Sequence, residues 1–250
     1  MCLLLFAWKK HLSYDLVLAA NRDEFYKRPT QQAHIWSDSL DLIAGKDLTA
    51  GGTWMGVTKT GKFAALTNYR DPSQINDQAP SRGDLTKDFL TQSYSPKDYL
   101  EKIKAAKIPF NGFNLLVGDH ESLWYYNNLN CNITELSPGI YGLSNALLND
   151  SWPKVENGKK KISQLIHQDL LKTDDLLEIV QDRSIAQNDQ LPSTGIPLDW
   201  ERALSAMFIS TENYGTRCSS ALLKKGNQFD FKEKTHPHLG QKEDQVEFIF

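Results

Sequence analysis

The sequence predicts an α+β fold in one domain, residues 1–250, built from antiparallel strands and segregated helices. Three observations lead there. Strand-like and helix-like segments come in blocks (strands, helices, strands, helices, strands) rather than alternating one for one. The first strand-like runs are joined by short reversals, as in a meander. At 250 residues, with 40% hydrophobic and 24% charged side chains, the chain can bury a full core, and no repeat or low-complexity linker divides it.

Cys2 to Lys9 is a continuous apolar run of strand length, and Asp15 to Asn21 is a second, joined by a turn at Lys10–Tyr14. The two are expected to pair as a hairpin, with the apolar pattern ending at Asn21-Arg22-Asp23-Glu24. Gly51-Gly52-Thr53-Trp54-Met55-Gly56-Val57 reads as a turn leading into a strand, and Phe63 to Thr67 is the next strand. Asp84 to Gln92 is a helix candidate. Ser95 opens a better one, because Ser95 can cap, Pro96 suits the first helical position and Asp98 can return a hydrogen bond. Strands are expected at Phe113–Val117, Ser122–Tyr126 and Gly139–Ser144. Helices are expected at Pro153–Gln168, Thr173–Val180 and Leu198–Met207. Phe208–Ile209, Ser219–Leu223 and Val246–Phe250 are strand-like, and Gln187–Pro197 is the most loop-like stretch.

The formal net charge is −3, without a long basic or acidic run, which argues against nucleic acid as a partner. No apolar stretch has the length of a membrane span, so no integral membrane segment is expected. The short apolar start has no basic region before it and no small-residue cleavage site after it. Three cysteines, Cys2, Cys131 and Cys218, do not form a disulfide framework. The expectation is a cytoplasmic protein.

Cys2 carries distinctive chemistry. Removal of Met1, expected because the second side chain is small, leaves an α-amine on the same residue as the thiol. That amine has a pKa near 7.7–8.0 and can accept the thiol proton. A buried structural cysteine is the competing reading. The tetrad Asn21–Glu24 shifts the balance, because antiparallel pairing brings the end of the second strand beside the start of the first. An arginine there can lower a thiol pKa or hold a substrate carboxylate, and an aspartate can orient the α-ammonium. Adjacent side chains on a strand face opposite ways, so either Asn21 with Asp23 or Arg22 with Glu24 lines a site at Cys2.

Met1-Cys2, Asn21-Arg22-Asp23-Glu24, Gly52-Thr53-Trp54-Met55-Gly56-Val57, Leu66-Thr67-Asn68-Tyr69-Arg70, Gly112–Gly118, Gly142-Leu143-Ser144-Asn145, Trp152-Pro153-Lys154 and Tyr214–Ser219 occur in order over nearly the whole chain. Together they resemble the NRDE family, also known as the transport and Golgi organisation protein 2 family. That family in turn resembles the cysteine N-terminal nucleophile hydrolases of the choloylglycine and penicillin acylase type. The resemblance implies a four-layer αββα sandwich. It also implies a hydrolase of a non-peptide amide or related acyl bond, with Cys2 as nucleophile, Asn145 in the oxyanion hole, Asn68 a second polar position and Arg217 close to the cysteine. Arg22 and Asp23 complete the expected catalytic set, with Asn21, Glu24, Trp54 and Arg70 as substrate-binding positions. The acylases separate their arginine and aspartate, whereas Arg22 and Asp23 are adjacent. The alternative implied by the family is a non-catalytic carrier or chaperone for an apolar ligand such as haem or an acyl-CoA. No cofactor is required; non-covalent haem is the one considered.

Weaker signals take ordinary readings. His236-Pro237-His238 lacks a third metal ligand, and a polar loop is expected. Trp54, Trp124, Tyr125, Tyr126 and Trp152 could line a cleft, although aromatics mostly build cores. Lys159–Lys161 is expected to be a solvated helix face. Gly51-Gly52 lacks the Gly-Lys-Ser/Thr of a phosphate loop.

Overall fold

A computed structural model describes residues 2–236 and 243–250. The first apolar run becomes β1 (Cys2–Trp8) and the second β2 (Leu16–Phe25), paired antiparallel from Cys2↔Arg22 to Trp8↔Leu16. The chain then crosses to a second sheet through β3 (Thr30–Trp36), β4 (Ser39–Asp47), β5 (Met55–Thr58) and β6 (Phe63–Asn68). Helices α1 (Gly83–Thr91) and α2 (Pro96–Ala106) follow, then β7 (Phe113–Gly118), β8 (Leu123–Asn127), β9 (Asn132–Glu135) and β10 (Gly139–Leu143). Helices α3 (Pro153–Leu165), α4 (Thr173–Ile179) and α5 (Leu198–Ala203) lead to β11 (Tyr214–Lys225), β12 (Gln228–Thr235) and β13 (Asp244–Ile249).

One sheet runs β10-β1-β2-β11-β12-β13 and the other β3-β4-β5-β6-β7-β8-β9; all pairings within them are antiparallel. The alternation of β1 shows why there are four layers. Leu4, Phe6 and Trp8 point into a core shared by the two sheets, with Ile43, Val57, Phe63 and Leu116 opposite. Leu3, Leu5 and Ala7 point the other way, against Val155 and Ile162 of α3 and Leu176 of α4. Beyond the second sheet, Leu85, Phe89 and Leu90 of α1 and Tyr99 and Leu100 of α2 cover Ala64, Leu66, Leu115 and Val117. Strands buried on both faces read as unbroken apolar runs, which is why β1 looks hydrophobic throughout. Each large side chain so buried contributes about 1.5–3 kcal/mol. The helix–sheet–sheet–helix sandwich expected from the resemblance is the observed architecture.

Several boundaries differ from the sequence reading. The second strand does not stop at Asn21 but continues through the tetrad to Phe25, because its polar residues are paired inside the fold. Phe208–Ile209 is not a strand; the chain makes one bridge, Ser210↔Gly215, before β11 begins. The helix expected over Leu198–Met207 ends at Ala203, and the Phe208 N–H then donates to the Asp182 carbonyl. Strands β3, β4, β9 and β12 carry no clean apolar run and were not expected. The cap at Ser95 is as expected in that its hydroxyl accepts from the Asp98 N–H. The Asp98 carboxylate takes the Ser95 hydroxyl proton, at 2.7 Å, rather than reaching the backbone.

Candidate active site

Cys2 opens β1; the β10 ladder begins two residues further on, at Leu4↔Leu143, whereas the β2 ladder reaches Cys2 directly. Directly across the ladder is Arg22. Cys2 and Arg22 lie on the face turned toward the second sheet, and Arg22 and Glu24 both line the cleft at Cys2. Asn21 faces the helices. Its amide donates to the Val180 and Met207 carbonyls at 2.8 Å each, and it lines neither cavity described below. Asp23 lies at the cleft edge and accepts the Thr216 hydroxyl proton at 2.8 Å.

The ladder between β2 and β11 skips a residue at this point. Thr216 pairs with Asp23 and Cys218 with Arg22, leaving Arg217 as the extra residue of a bulge. The Arg217 guanidinium donates to the Phe25 and Arg28 carbonyls at 3.0 and 2.8 Å. It thus fastens the turn after β2 and lines neither cavity.

The cleft at Cys2 is polar, with a volume of about 330 Å³. Arg22 stacks on the Trp54 ring, 4.4 Å from its centroid, and donates to Thr30 at 3.2 Å and Asp47 at 3.4 Å. Arg28 meets the same Asp47 oxygen at 2.6 Å. Burial works against ionisation of Asp47, but the Arg28 hydrogen bond and the Thr49 and Ala50 N–H groups hold its pKa below the usual carboxylate value. Arg82, just before α1, enters from the far wall. It is placed by Gly83, whose carbonyl accepts the Thr53 N–H at 3.2 Å. A Cβ on Gly52 would stand 2.5 Å from the Gly83 carbonyl carbon, so only glycine lets these backbones meet.

A larger cavity of about 530 Å³ adjoins the cleft, and Glu24, Asn68, Arg82 and Asn111 border both. Its walls are mostly apolar, from Phe25, Tyr69, Ile75, Phe110, Ile196 and Trp200 among others. Asn145, just after β10, borders this cavity; its amide donates to the Asn68 carbonyl at 2.8 Å, and its own carbonyl accepts the Arg70 N–H. The neighbouring Ser144 hydroxyl donates to the Cys2 carbonyl at 3.2 Å, tying the Asn145 segment to the cysteine. Arg70 also borders the cavity, paired with Glu201 at 2.8 Å and stacked 4.7 Å from the Trp152 centroid.

The Cys2 thiol pKa is raised, chiefly by burial and further by Asp23 and Glu24, while the positive charge of Arg22 opposes the rise. Burial likewise raises Asp23, opposed by Lys154 and the amino terminus. Lys154 is itself buried, which lowers its pKa to about 8, with Asp23 opposing the fall. Arg82 is lowered by burial and supported by Cys2 and Glu24.

A second constellation imitates a catalytic triad. The Ser219 hydroxyl lies 2.8 Å from His236 Nε2, and His236 Nδ1 lies 3.7 Å from Glu243. Its polarity is wrong for a nucleophile. Both carbonyl contacts of Asn21 fix its amide orientation, so its oxygen takes the Ser219 proton at 2.6 Å. His236 Nε2 must then donate to Ser219, not accept from it. Ser219 is fully buried, away from both cavities. Burial lowers His236 to about 4.

The sequence reading named Cys2, Arg22, Asp23, Glu24, Trp54 and Asn68, which the fold gathers around the polar cleft, and Asn145 and Arg70, which it places on the adjoining cavity. It missed Arg28, Asp47 and Arg82. The segment Pro80-Ser81-Arg82-Gly83 ahead of a helix start was the available signal for Arg82. Trp124, Tyr125 and Tyr126 lie in β8 and border neither cavity. Among the described residues no group of three metal-ligating side chains occurs, and no helix is long and apolar enough to cross a membrane. Met1, Pro237 and His238 lie outside the described residues.

Residues 1–237 match the family model described as Transport and Golgi organisation 2. A transport and Golgi organization protein 2 homolog of Bos taurus is 37% identical over 229 residues, covering 84% of this chain and 82% of that one. The Drosophila melanogaster protein is 26% identical over 246 residues, covering 89% and 86%. Among solved structures, the Caenorhabditis elegans ortholog of N-acylethanolamine-hydrolyzing acid amidase aligns over 89% of this chain and 92% of that one. Its TM-score is 0.51 at 9% identity, a likeness of fold.

Proposed function

The chain belongs to the Transport and Golgi organisation 2 family, and on that footing we propose that it is an N-terminal-cysteine hydrolase of an amide or related acyl bond in a small amphiphilic molecule. The observation that carries this reading is the position of Cys2 in a polar cleft, opposite Arg22, that opens into a 530 Å³ apolar cavity. That volume falls within the usual range for small-molecule sites.

The chemistry follows from the placement. After Met1 is removed, the α-amine of Cys2 takes the thiol proton, and Arg22 favours the thiolate. The sulfur bonds to the acyl carbon, the C–N bond breaks, and the ammonium returns its proton to the leaving amine. Water then cleaves the thioester, freeing the acid and restoring the thiol. Asn145 has one amide hydrogen on the Asn68 carbonyl, which leaves the second for the oxyanion. Such a donor is worth roughly 2.7–4 kcal/mol of barrier. Asp23, which lines the same cleft as Cys2, orients the α-ammonium. The acyl chain fills the apolar cavity.

The experiment is turnover of C8–C16 N-acyl amino acids, N-acylethanolamines and acyl thioesters by protein whose intact mass shows Cys2 as first residue. Turnover lost in Cys2→Ala, with an acyl adduct on the wild-type peptide, supports the reading. Equal turnover by Cys2→Ala, or activity with Met1 retained, overturns it.

A carrier reading has one observation in its favour: the apolar cavity is complete without Cys2, which does not border it. For haem, the described residues of that cavity offer Tyr69 and Tyr214 as axial ligands, with no histidine, cysteine or methionine among them. This donor set suits an acyl chain better than an iron porphyrin. Absorbance titration with haem distinguishes the two.

A further inference from the structure

Three arginines border the polar cleft, and they are not equivalent. Arg22 and Arg28 converge on one carboxylate oxygen of Asp47. Arg82 has a hydrogen bond to a neutral acceptor, the Gly112 carbonyl, at 3.0 Å. Among the described residues no carboxylate lies within 4.0 Å of its nitrogens. It is half-buried, and the negative charge that supports it, Glu24, acts at a distance rather than as an ion pair, so its guanidinium is only partly compensated. It also borders both cavities, at their junction. Its backbone is set there by the Gly52–Gly83 contact, which is too close for any other residue at position 52.

We propose that Arg82 anchors the anionic group, a carboxylate or a phosphate, of an amphiphilic ligand whose apolar chain occupies the adjoining cavity. This deepens the hydrolase reading and rests on it for where the acyl carbon lies; the anchoring itself needs no turnover. A guanidinium presents a planar fork of donors that matches either anion, and most of those donors are uncommitted here. The one acidic side chain that shares both cavities with Arg82 is Glu24, whose Oε1 accepts the Phe25 N–H. Glu24 opposes a bound anion, so its removal has the opposite effect to removal of Arg82.

The test is calorimetric binding of decanoate, decyl phosphate and decan-1-ol to the Cys2→Ala protein, which removes turnover as a variable, with and without Arg82→Gln, Arg82→Lys or Glu24→Gln. Both anions are expected to bind at least about tenfold more tightly than the alcohol, consistent with a charged hydrogen bond. Arg82→Gln should erase that preference while leaving the alcohol unchanged. Arg82→Lys should retain part of it, and Glu24→Gln should increase it. Whichever of decanoate and decyl phosphate binds more tightly identifies the anion. Equal loss for anions and alcohol, an unchanged preference in Arg82→Gln, or no binding of either anion overturns the anchor. Absence of turnover in the wild type with the preference intact sinks the hydrolase reading alone.

Discussion

Cys2 stands directly across the β1–β2 ladder from Arg22, whose guanidinium carbon lies over the Trp54 ring, 4.4 Å from its centroid. The pairing puts a fixed positive charge on the same face as a thiol whose pKa burial raises, and that charge opposes the rise. Arg22→Gln should slow alkylation of Cys2 by iodoacetamide at pH 7.5 by up to about tenfold, the effect of one pKa unit on the thiolate fraction. Peptide mass spectrometry of the Cys2 peptide against time measures it, with exposed Cys131 as the internal control.

Gly52→Ala should destabilise the protein by about 1–3 kcal/mol, because the new methyl group meets backbone rather than a flexible side chain. It should also displace Arg82 and so weaken binding of anionic ligands beyond the loss in stability. Urea unfolding, paired with decanoate binding, separates the two effects.

Glu201 pairs with Arg70 at 2.8 Å and also accepts the Thr194 N–H and hydroxyl, at 2.9 and 2.6 Å. Both partners of the ion pair are nearly inaccessible, at 7% and 4%. Glu201→Gln breaks a buried ion pair and should cost up to about 3–5 kcal/mol. Thermal unfolding should show a marked fall in Tm.

Leu129 borders the apolar cavity. Leu129→Trp should fill part of it and shift the preferred acyl chain toward shorter lengths, with little change for the shortest. A chain-length series of fatty acid anions, compared by affinity, reads this out.

Stability should fall in mild acid through His236. Its folded pKa of about 4 lies below the ordinary value of 6.5, so the unfolded chain binds the proton more readily. The contribution is fully present above pH 6.5 and is lost as pH falls toward 4, up to about 3 kcal/mol at 1.36 kcal/mol per unit. Melting curves between pH 7.5 and 4.5 should flatten in His236→Gln relative to wild type.

What the sequence made legible follows from burial. β1, β6 and β7 are buried along their length, and their apolar runs were plain to read. β3, with Thr30, Gln31, Gln32 and His34 among its seven residues, is an edge strand with one partly exposed face. β12 likewise carries Lys232 and Glu233 inside, paired to Asp174 and Glu247 and to Ala33 and Ser220 respectively, so no hydrophobic pattern marks it. The same reason hid the true length of β2: Asn21 and Asp23 are polar but satisfied by partners nearly two hundred residues away. That the tetrad lies beside Cys2 was legible from hairpin pairing; that Arg22 rather than Asn21 faces the cleft was not, because register decides it. Arg28 and Arg82 could not be placed in advance, because loops bring them in and no local pattern encodes where a loop will land; Asp47 ends β4, a strand of the other sheet whose approach to β2 is set by sheet packing rather than by local sequence.

The bulge at Arg217 has a consequence for assembly. The turn that carries Arg28 is held by a residue of β11, and β1 is bracketed by β10, so the pocket's first walls are completed by strands made much later in the chain. A ribosome will have extended the chain past residue 217 before the amino-terminal cysteine has all its neighbours. The site therefore belongs to no fragment of the protein, and a chain cut short before β11 would keep every residue of the tetrad and still lack the brace on its turn.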